Sequence, residues 1–399
     1  MTKAKARSDV ESLLDSREVV VACGPGGVGK TTSAAALAAS IAQRRRAKVL
    51  VLTVDPARRL ADALGIAGLG NTASKIPADA FAAAGAPAKG ELWAAMIDTK
   101  QSWDALVRRH APDRSTADQI LANPIYQNIS GRFAQSHEYI AMERLYEIHS
   151  EGGYDLVIVD TPPTRDALDF LDAPQRMADF FASGLLRWLI APSRSKFVGI
   201  ASKPFYQVAD RILGTQFLGD IAELFLLFQT MYDGFVTRAQ SVSALLRDAR
   251  TTFVIVTTLE PVPALEASRF ADALAERHLD LGLVVANKVL PKSFVDPETA
   301  HVAELIEQRA GELGRALTGE AGGVGGAGEA GDADQVARVL HEVGRSFVNF
   351  ERVARRETEL LATMTRRGAA AATVPHLSGD VTDVAGLLEI GRYLLDGPH

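Results

Sequence analysis

Gly24-Pro25-Gly26-Gly27-Val28-Gly29-Lys30-Thr31-Thr32 fits the phosphate-binding pattern G-x-x-x-x-G-K-[ST]. A run with the apolar character of a buried strand, Glu18 to Cys23, leads into it, and a helical run from Thr32 to Ala39 follows. Glycines let successive backbone N–H groups turn inward around phosphate oxygens, so Gly26, Gly27, Val28 and Gly29 are expected to bind phosphate through the main chain. The helix that starts at the loop adds the positive end of its dipole. Lys30 is placed to reach the β- and γ-phosphates, and the Thr31 hydroxyl to ligate Mg²⁺. Gly24-x-Gly26-x-x-Gly29 also matches the dinucleotide fingerprint, but Lys30-Thr31 has no work to do in a dinucleotide site and a central role in a triphosphate site.

Around this loop the chain reads as doubly wound α/β with a mostly parallel sheet. Short apolar runs at Val19–Cys23, Lys48–Val54, Leu92–Ile97, Leu156–Val159, Phe253–Thr257 and Leu281–Ala286 alternate with helical stretches. In such sheets ligands sit at the carboxyl ends of the strands. Residues 101–150 and 167–250 are too long for simple crossovers and read as helical insertions; the second carries Phe180, Leu186, Trp188, Leu189, Leu224 and Phe228. Residues 318–334 are rich in glycine and read as a flexible linker. Residues 335–399 read as C-terminal helices, interrupted at Val374-Pro375-His376-Leu377.

The composition narrows the classes of function. The chain has 399 residues, 47% hydrophobic and 23% charged, with a formal net charge of −6. That balance argues for a globular protein and against a general nucleic-acid partner. Arg44-Arg45-Arg46 suits the end of the first helix, with contact to a membrane surface or an acidic partner as the alternative. Cys23 is the single cysteine, so no disulfide framework and no cysteine-only zinc site can form within one chain. Residues 1–11 lack the apolar core of a secretory signal, and the apolar stretch Ile221–Phe235 is short and contains Glu223 and Asp233. A cytoplasmic protein, peripheral at most to a membrane and not integral, is expected.

Three further positions carry chemistry. The second strand runs into Asp55-Pro56-Ala57, where a carboxylate near the phosphates can orient the attacking water. The fourth ends in Val159-Asp160-Thr161-Pro162-Pro163, the hydrophobic-then-Asp pattern that holds Mg²⁺. Either Asp alone reads equally well as a cap or a surface acid; the upstream loop and the strand order favour the functional reading. The sixth strand ends in Ala286-Asn287-Lys288, and an amide can pair with both donor and acceptor of an adenine edge. No Asp follows in an N-K-x-D pattern, so ATP is favoured over GTP. A turn-forming Asn is the alternative.

Taken together, the loop, Asp55-Pro56-Ala57, Asp160-Thr161-Pro162-Pro163-Thr164 and Asn287 resemble the arsenite-transport and tail-anchored-protein-targeting ATPases, in the dimerising P-loop class. Tyr126-Gln127-Asn128-Ile129, Glu138 to Glu143 and Ala167 to Pro174 resemble an actinobacterial branch of anion-transporting ATPases. The resemblance spans nearly the whole chain and is not specific to a client. It implies that Lys30, Thr31 and Thr32 hold phosphates and Mg²⁺, and that Asp55 positions water and Asp160 couples to the metal. It also implies that Asn287 reads adenine with the Pro375 segment nearby, and that the helical insertions form a client or partner surface.

The sequence departs from that family in three places. Pro25 stands where the family carries a second lysine that reaches across the dimer to the opposite subunit's phosphates; proline supplies neither charge nor N–H. Asp166 stands where His is common, and the paired cysteines of the zinc-linked homodimers are absent. Because the missing lysine acts in trans, a heterodimer with a related lysine-bearing ATPase subunit is expected, with a homodimer as the alternative. The leading expectation is an ATP-hydrolysing switch whose closed dimer binds a client, such as a hydrophobic helix of a membrane protein. A regulatory subunit with weak activity of its own is the second reading. A subunit of an anion efflux pump is a third, but arsenite capture uses thiols and only Cys23 is present. A small-molecule kinase lacks a visible acceptor-binding motif.

Overall fold

The computed structural model of the chain describes residues 9–54, 59–129, 136–161, 172–173, 176, 179, 215–321, 329–365, 368–377 and 379–397. Asp55, Asp166 and the apolar residues Phe180 to Leu189 lie outside these. The expected doubly wound sheet is present. Its strands are β1 (Val19–Cys23), β2 (Lys48–Thr53), β3 (Ser74–Lys75), β4 (Glu91–Met96), β5 (Leu156–Asp160), β6 (Thr251–Thr257), β7 (Leu281–Val289) and β8 (Ala370–Pro375). They lie in the order β3-β4-β2-β5-β1-β6-β7-β8, parallel throughout except for β3. Valine, isoleucine and leucine fill the central strands, and β1 and β5 are buried at every position because helices cover both faces.

Alternation along β1 divides the core. Val20 and Ala22 face one layer, built on the helices Lys30–Arg44 and Val384–Asp396. The first of these packs closely because Ala34 to Ala39 keep its surface low; all but Leu37 are alanine. Val19, Val21 and Cys23 face the other layer, which contains Thr99–His110, Arg114–Ala122, Ser136–Glu151 and Tyr232–Arg247. Within that layer Trp103, Tyr139 and Phe235 bring their rings within 6.1–6.4 Å of one another and tie three helices together. The described helices of both long insertions therefore share the core of the sheet.

The structure differs from the expectations at several element ends. β3 and β8 carry no strong apolar alternation: β3 is two exposed residues, and β8 reads Ala-Ala-Ala-Thr-Val-Pro. Alanine is a weak strand former, and an edge position tolerates the terminal proline, so the pairing with β7 decides. β7 continues through Asn287 to Val289 instead of ending there, with a register shift between Asn287 and Val289. Both flanks of the glycine-rich stretch are helical, as parts of Ala310–Ala321 and Glu329–Met364, while 322–328 lie outside the described residues. Gly314 sits against Ala333 and Ala337, a close approach that lets the two helices pair.

Candidate nucleotide site

β1 stands between β5 and β6, and its carboxyl end opens into the glycine loop. The strand order reverses there, since β5, β2 and β4 lie to one side and β6, β7 and β8 to the other, which leaves a crevice above the strand ends. Register aligns the ends: Ala22 is level with Asp160, and Thr53 is level with the same Asp160 from the other side. The loop itself depends on glycine at two points. Gly24 has φ +142° and passes directly over the Val256 carbonyl, and Gly29 has φ +93° with the Asn287 amide against it. A Cβ at either position would collide as well as strain the backbone.

Lys30 begins the helix, is 6% exposed, and donates from Nζ to the Pro25 carbonyl at 2.7 Å. The lysine thus arches over the loop, as a phosphate-binding lysine must. Pro25 is buried, and its carbonyl faces Lys30. Thr31 donates from Oγ1 to Asp160 Oδ2 at 2.7 Å, and Thr53 donates from its hydroxyl to the same oxygen at 2.9 Å. Asp160 is fully buried, and two charge-assisted bonds hold one carboxylate oxygen in place. Thr161 follows it and anchors to the Ala22 carbonyl through both its N–H (3.2 Å) and its hydroxyl (2.9 Å), which pins β5 to β1 where the motif begins.

A cavity of about 490 Å³ opens over this arrangement, lined by Gly27, Gly29, Lys30, Thr31 and Thr32 from the loop and by Thr161. Arg59, Asp62 and Ala63 and the stretch Asp380, Val381 and Thr382 complete the lining. The structure therefore brings Gly27, Gly29, Lys30, Thr31, Thr32 and Asp160 together. Gly26 is exposed at the loop tip, and Val28 is buried beneath it. Asn287 reaches the loop from β7: its Nδ2 donates to the Val28 carbonyl at 2.8 Å, and its Oδ1 accepts from the Lys288 N–H at 3.0 Å. In this arrangement its amide braces the loop. Pro375 stands in register with Val289, two residues beyond Asn287, and the cavity is lined by Asp380–Thr382 further along the same segment.

Sequence reasoning missed Thr53, Arg59, Asp62 and the 380–382 stretch. Thr53 left a signal, a polar residue closing an apolar strand two positions before Asp55. The other three sites belong to segments whose approach to the loop depends on how helices and turns pack.

The chemistry of the donor set suits Mg²⁺. A hydroxyl and a carboxylate lie 2.7 Å apart beside an open cavity, the hard oxygen donors that this cation accepts while keeping most of its waters. Among the described residues no cluster of three or more His, Cys, Asp or Glu could hold a metal by itself, so phosphate oxygens and water would complete the shell. Cys23, at the end of β1, is buried and free, and burial pushes its thiol far above the ordinary range in spite of nearby Lys30. A thiol held protonated by burial is a poor metal ligand and a poor nucleophile.

Comparison with known proteins gives the family. The family model described as anion-transporting ATPase matches residues 17–310, which hold the loop, Asp160 and Asn287. The ATPase ASNA1 homolog of Entamoeba dispar is 27% identical over 294 residues, covering 71% of this chain and 80% of that protein. The ATPase GET3 of Podospora anserina is 27% identical over 311 residues, covering 75% and 82%. A putative arsenical pump-driving ATPase of Halobacterium salinarum is 26% identical over 299 residues, covering 71% of this chain and 38% of that longer protein. With a complete phosphate loop at the switch point of a parallel sheet and a family match across most of its length, this chain belongs to the anion-transporting ATPase family and is an ATPase.

Proposed function

We propose that the chain is an Mg²⁺-dependent, dimeric ATP switch that draws its missing cross-subunit charge from a related ATPase subunit. The observation that carries this reading is the contrast within one loop. Lys30, Thr31 and Asp160 are assembled over a cavity, while Pro25, where the family carries its trans-acting lysine, is buried with its carbonyl on Lys30. The γ-phosphate would lie under Lys30, with the loop N–H groups and the helix dipole neutralising its oxygens. Mg²⁺ held by Thr31, and by Asp160 through water, would supply charge compensation between the β- and γ-phosphates. Asp55, by resemblance, orients the attacking water. Asn287, with Pro375 and Asp380–Thr382, would enclose the base and sugar, which fits ATP better than GTP.

A cation at a transferring phosphoryl group is worth about 10³-fold or more in rate. Mixing the chain with a lysine-bearing relative should therefore raise turnover per chain steeply, and Lys30→Ala in this chain should remove that gain. A homodimer as fast as every mixture contradicts the pairing. A regulatory subunit of low intrinsic activity is the second reading, favoured by the same buried Pro25; it predicts stimulation of the relative that survives Lys30→Ala.

The client side of the proposal rests on the apolar residues of 167–250 and on the family. ATP-dependent crosslinking to a hydrophobic membrane-anchor helix supports it, and capture that ignores ATP contradicts it. No described helix is long and apolar enough to cross a membrane. An arsenical pump role, suggested by one relative's name, is opposed by the single buried thiol.

A further inference from the structure

The helix Glu329–Met364 runs for 36 residues, about 54 Å at 1.5 Å per residue. One face is covered: Gly344 sits on Ala303 and Glu307 of the helix Pro297–Gln308, and Ala354 is buried. Another face is not. Val339, Val343, Phe350 and Val353 are 57%, 54%, 48% and 49% exposed, and they make up four of the nine large hydrophobic residues exposed among the described residues. Scattered apolar residues on a surface need no explanation. These do, because with Ser346 between them they recur at alternating intervals of four and three, which is the seam of a coiled coil. The seam borders an apolar groove of about 560 Å³ whose other wall is Phe294, its ring 4.9 Å from that of Phe347 and 5.3 Å from that of Phe350.

We infer that this seam is a self-association surface, and that its occupant is the same helix of a second copy running antiparallel. The argument is the pattern of charge and size. An antiparallel two-fold arrangement that sets Val343 against Val353 of the second copy also sets Phe350 against the small Ser346, so large meets small in the packed layers. The same register places exposed Glu342 opposite exposed Arg356, twice by symmetry, and brings Asn349 against its own copy near the axis. A parallel pairing sets Glu342 beside Phe347 and offers no charge partner. Glu342 pairs within its own helix with Arg345 at 2.8 Å, both more than half exposed, a contact weak enough to exchange.

The seam stops at Glu357, whose carboxylate accepts from the Leu290 N–H at 3.0 Å, three residues past Asn287. The contact thus lies on a different element from the phosphate loop and does not depend on the nucleotide reading.

The test is sedimentation velocity on the full chain without nucleotide, with charge swaps on the seam separating it from any dimerisation across the nucleotide face. A dimer at micromolar concentration is expected. Glu342→Arg or Arg356→Glu alone should weaken it about tenfold, since each change turns two pairs repulsive, and the double swap should restore it. Val343→Glu with Phe350→Glu should give monomer with unchanged circular dichroism and ATP binding. Asn349→Cys should yield a disulfide-linked dimer on oxidation, while the parent, whose Cys23 is buried, should not. A nucleotide-free monomer at tens of micromolar, or a dimer indifferent to the charge swap, overturns the inference.

Discussion

The phosphate loop and the long C-terminal helix are opposite kinds of surface. In the loop the polar atoms named above are bound within the chain before any ligand arrives: Lys30 to the Pro25 carbonyl, Thr31 and Thr53 to Asp160, Asn287 to the Val28 carbonyl. The helix instead leaves its apolar seam in water and satisfies its charges with exposed pairs such as Arg345–Glu342. The loop is therefore preorganised, and its substrate exchanges one set of strong contacts for another. The helix is unfinished, and what it binds would add burial that the single chain lacks. Substitutions in the loop should change rates with little effect on assembly, and substitutions on the seam should do the reverse.

The largest effect should come from Lys30→Ala. Turnover should fall by about 10³-fold or more, with the melting temperature nearly unchanged; a loss under tenfold would remove Lys30 from phosphoryl transfer. Asn287→Ala should release the Val28 carbonyl, raise the apparent KM for ATP about tenfold and narrow discrimination against GTP; an unchanged ATP-to-GTP ratio would leave Asn287 only a brace.

Thr53→Val should cost about tenfold in turnover and shift the Mg²⁺ requirement upward, because Asp160 loses one of the two donors that fix its rotamer while the isosteric valine keeps the packing. An unchanged Mg²⁺ dependence would make that bond purely structural.

The helical layer supplies a smaller test with a sign in pH. Glu143, 4% exposed, accepts from Arg238 Nε at 2.6 Å, and burial holds its carboxyl above the usual range. A raised folded pKa means that its charge opposes folding as pH rises, and Arg238 offsets that. Arg238→Met should therefore destabilise by about 3 kcal/mol at neutral pH, and by less as the pH falls and Glu143 takes up a proton. Thermal melts across pH 5 to 8 decide; a constant deficit would mean that the loss is packing over Tyr146, on which the guanidinium also lies.

The legibility of the sequence follows the same division. The loop was readable because glycine, lysine and threonine at fixed spacing have few other uses, and because six strands announce themselves as apolar runs. Asp160 was readable at the end of such a run. The bond from Thr53, the brace from Asn287 and the wall at Asp380–Thr382 were not, because each depends on which strand lies beside which and on the register between them. β8 was hidden by alanine, and the helical flanks of the glycine-rich stretch by their composition. The heptad seam is written in the sequence, but only the structure separates its exposed face from the face that packs on Pro297–Gln308.

The central claim is that this subunit has a complete phosphate pocket of its own and cannot lend a cation to its neighbour. Steady-state ATP hydrolysis by the chain alone and by its Pro25→Lys variant tests it most directly. The account predicts that Pro25→Lys raises turnover by about 10²-fold or more and that adding Lys30→Ala abolishes the gain. A parent chain already as fast as the Pro25→Lys variant would contradict it.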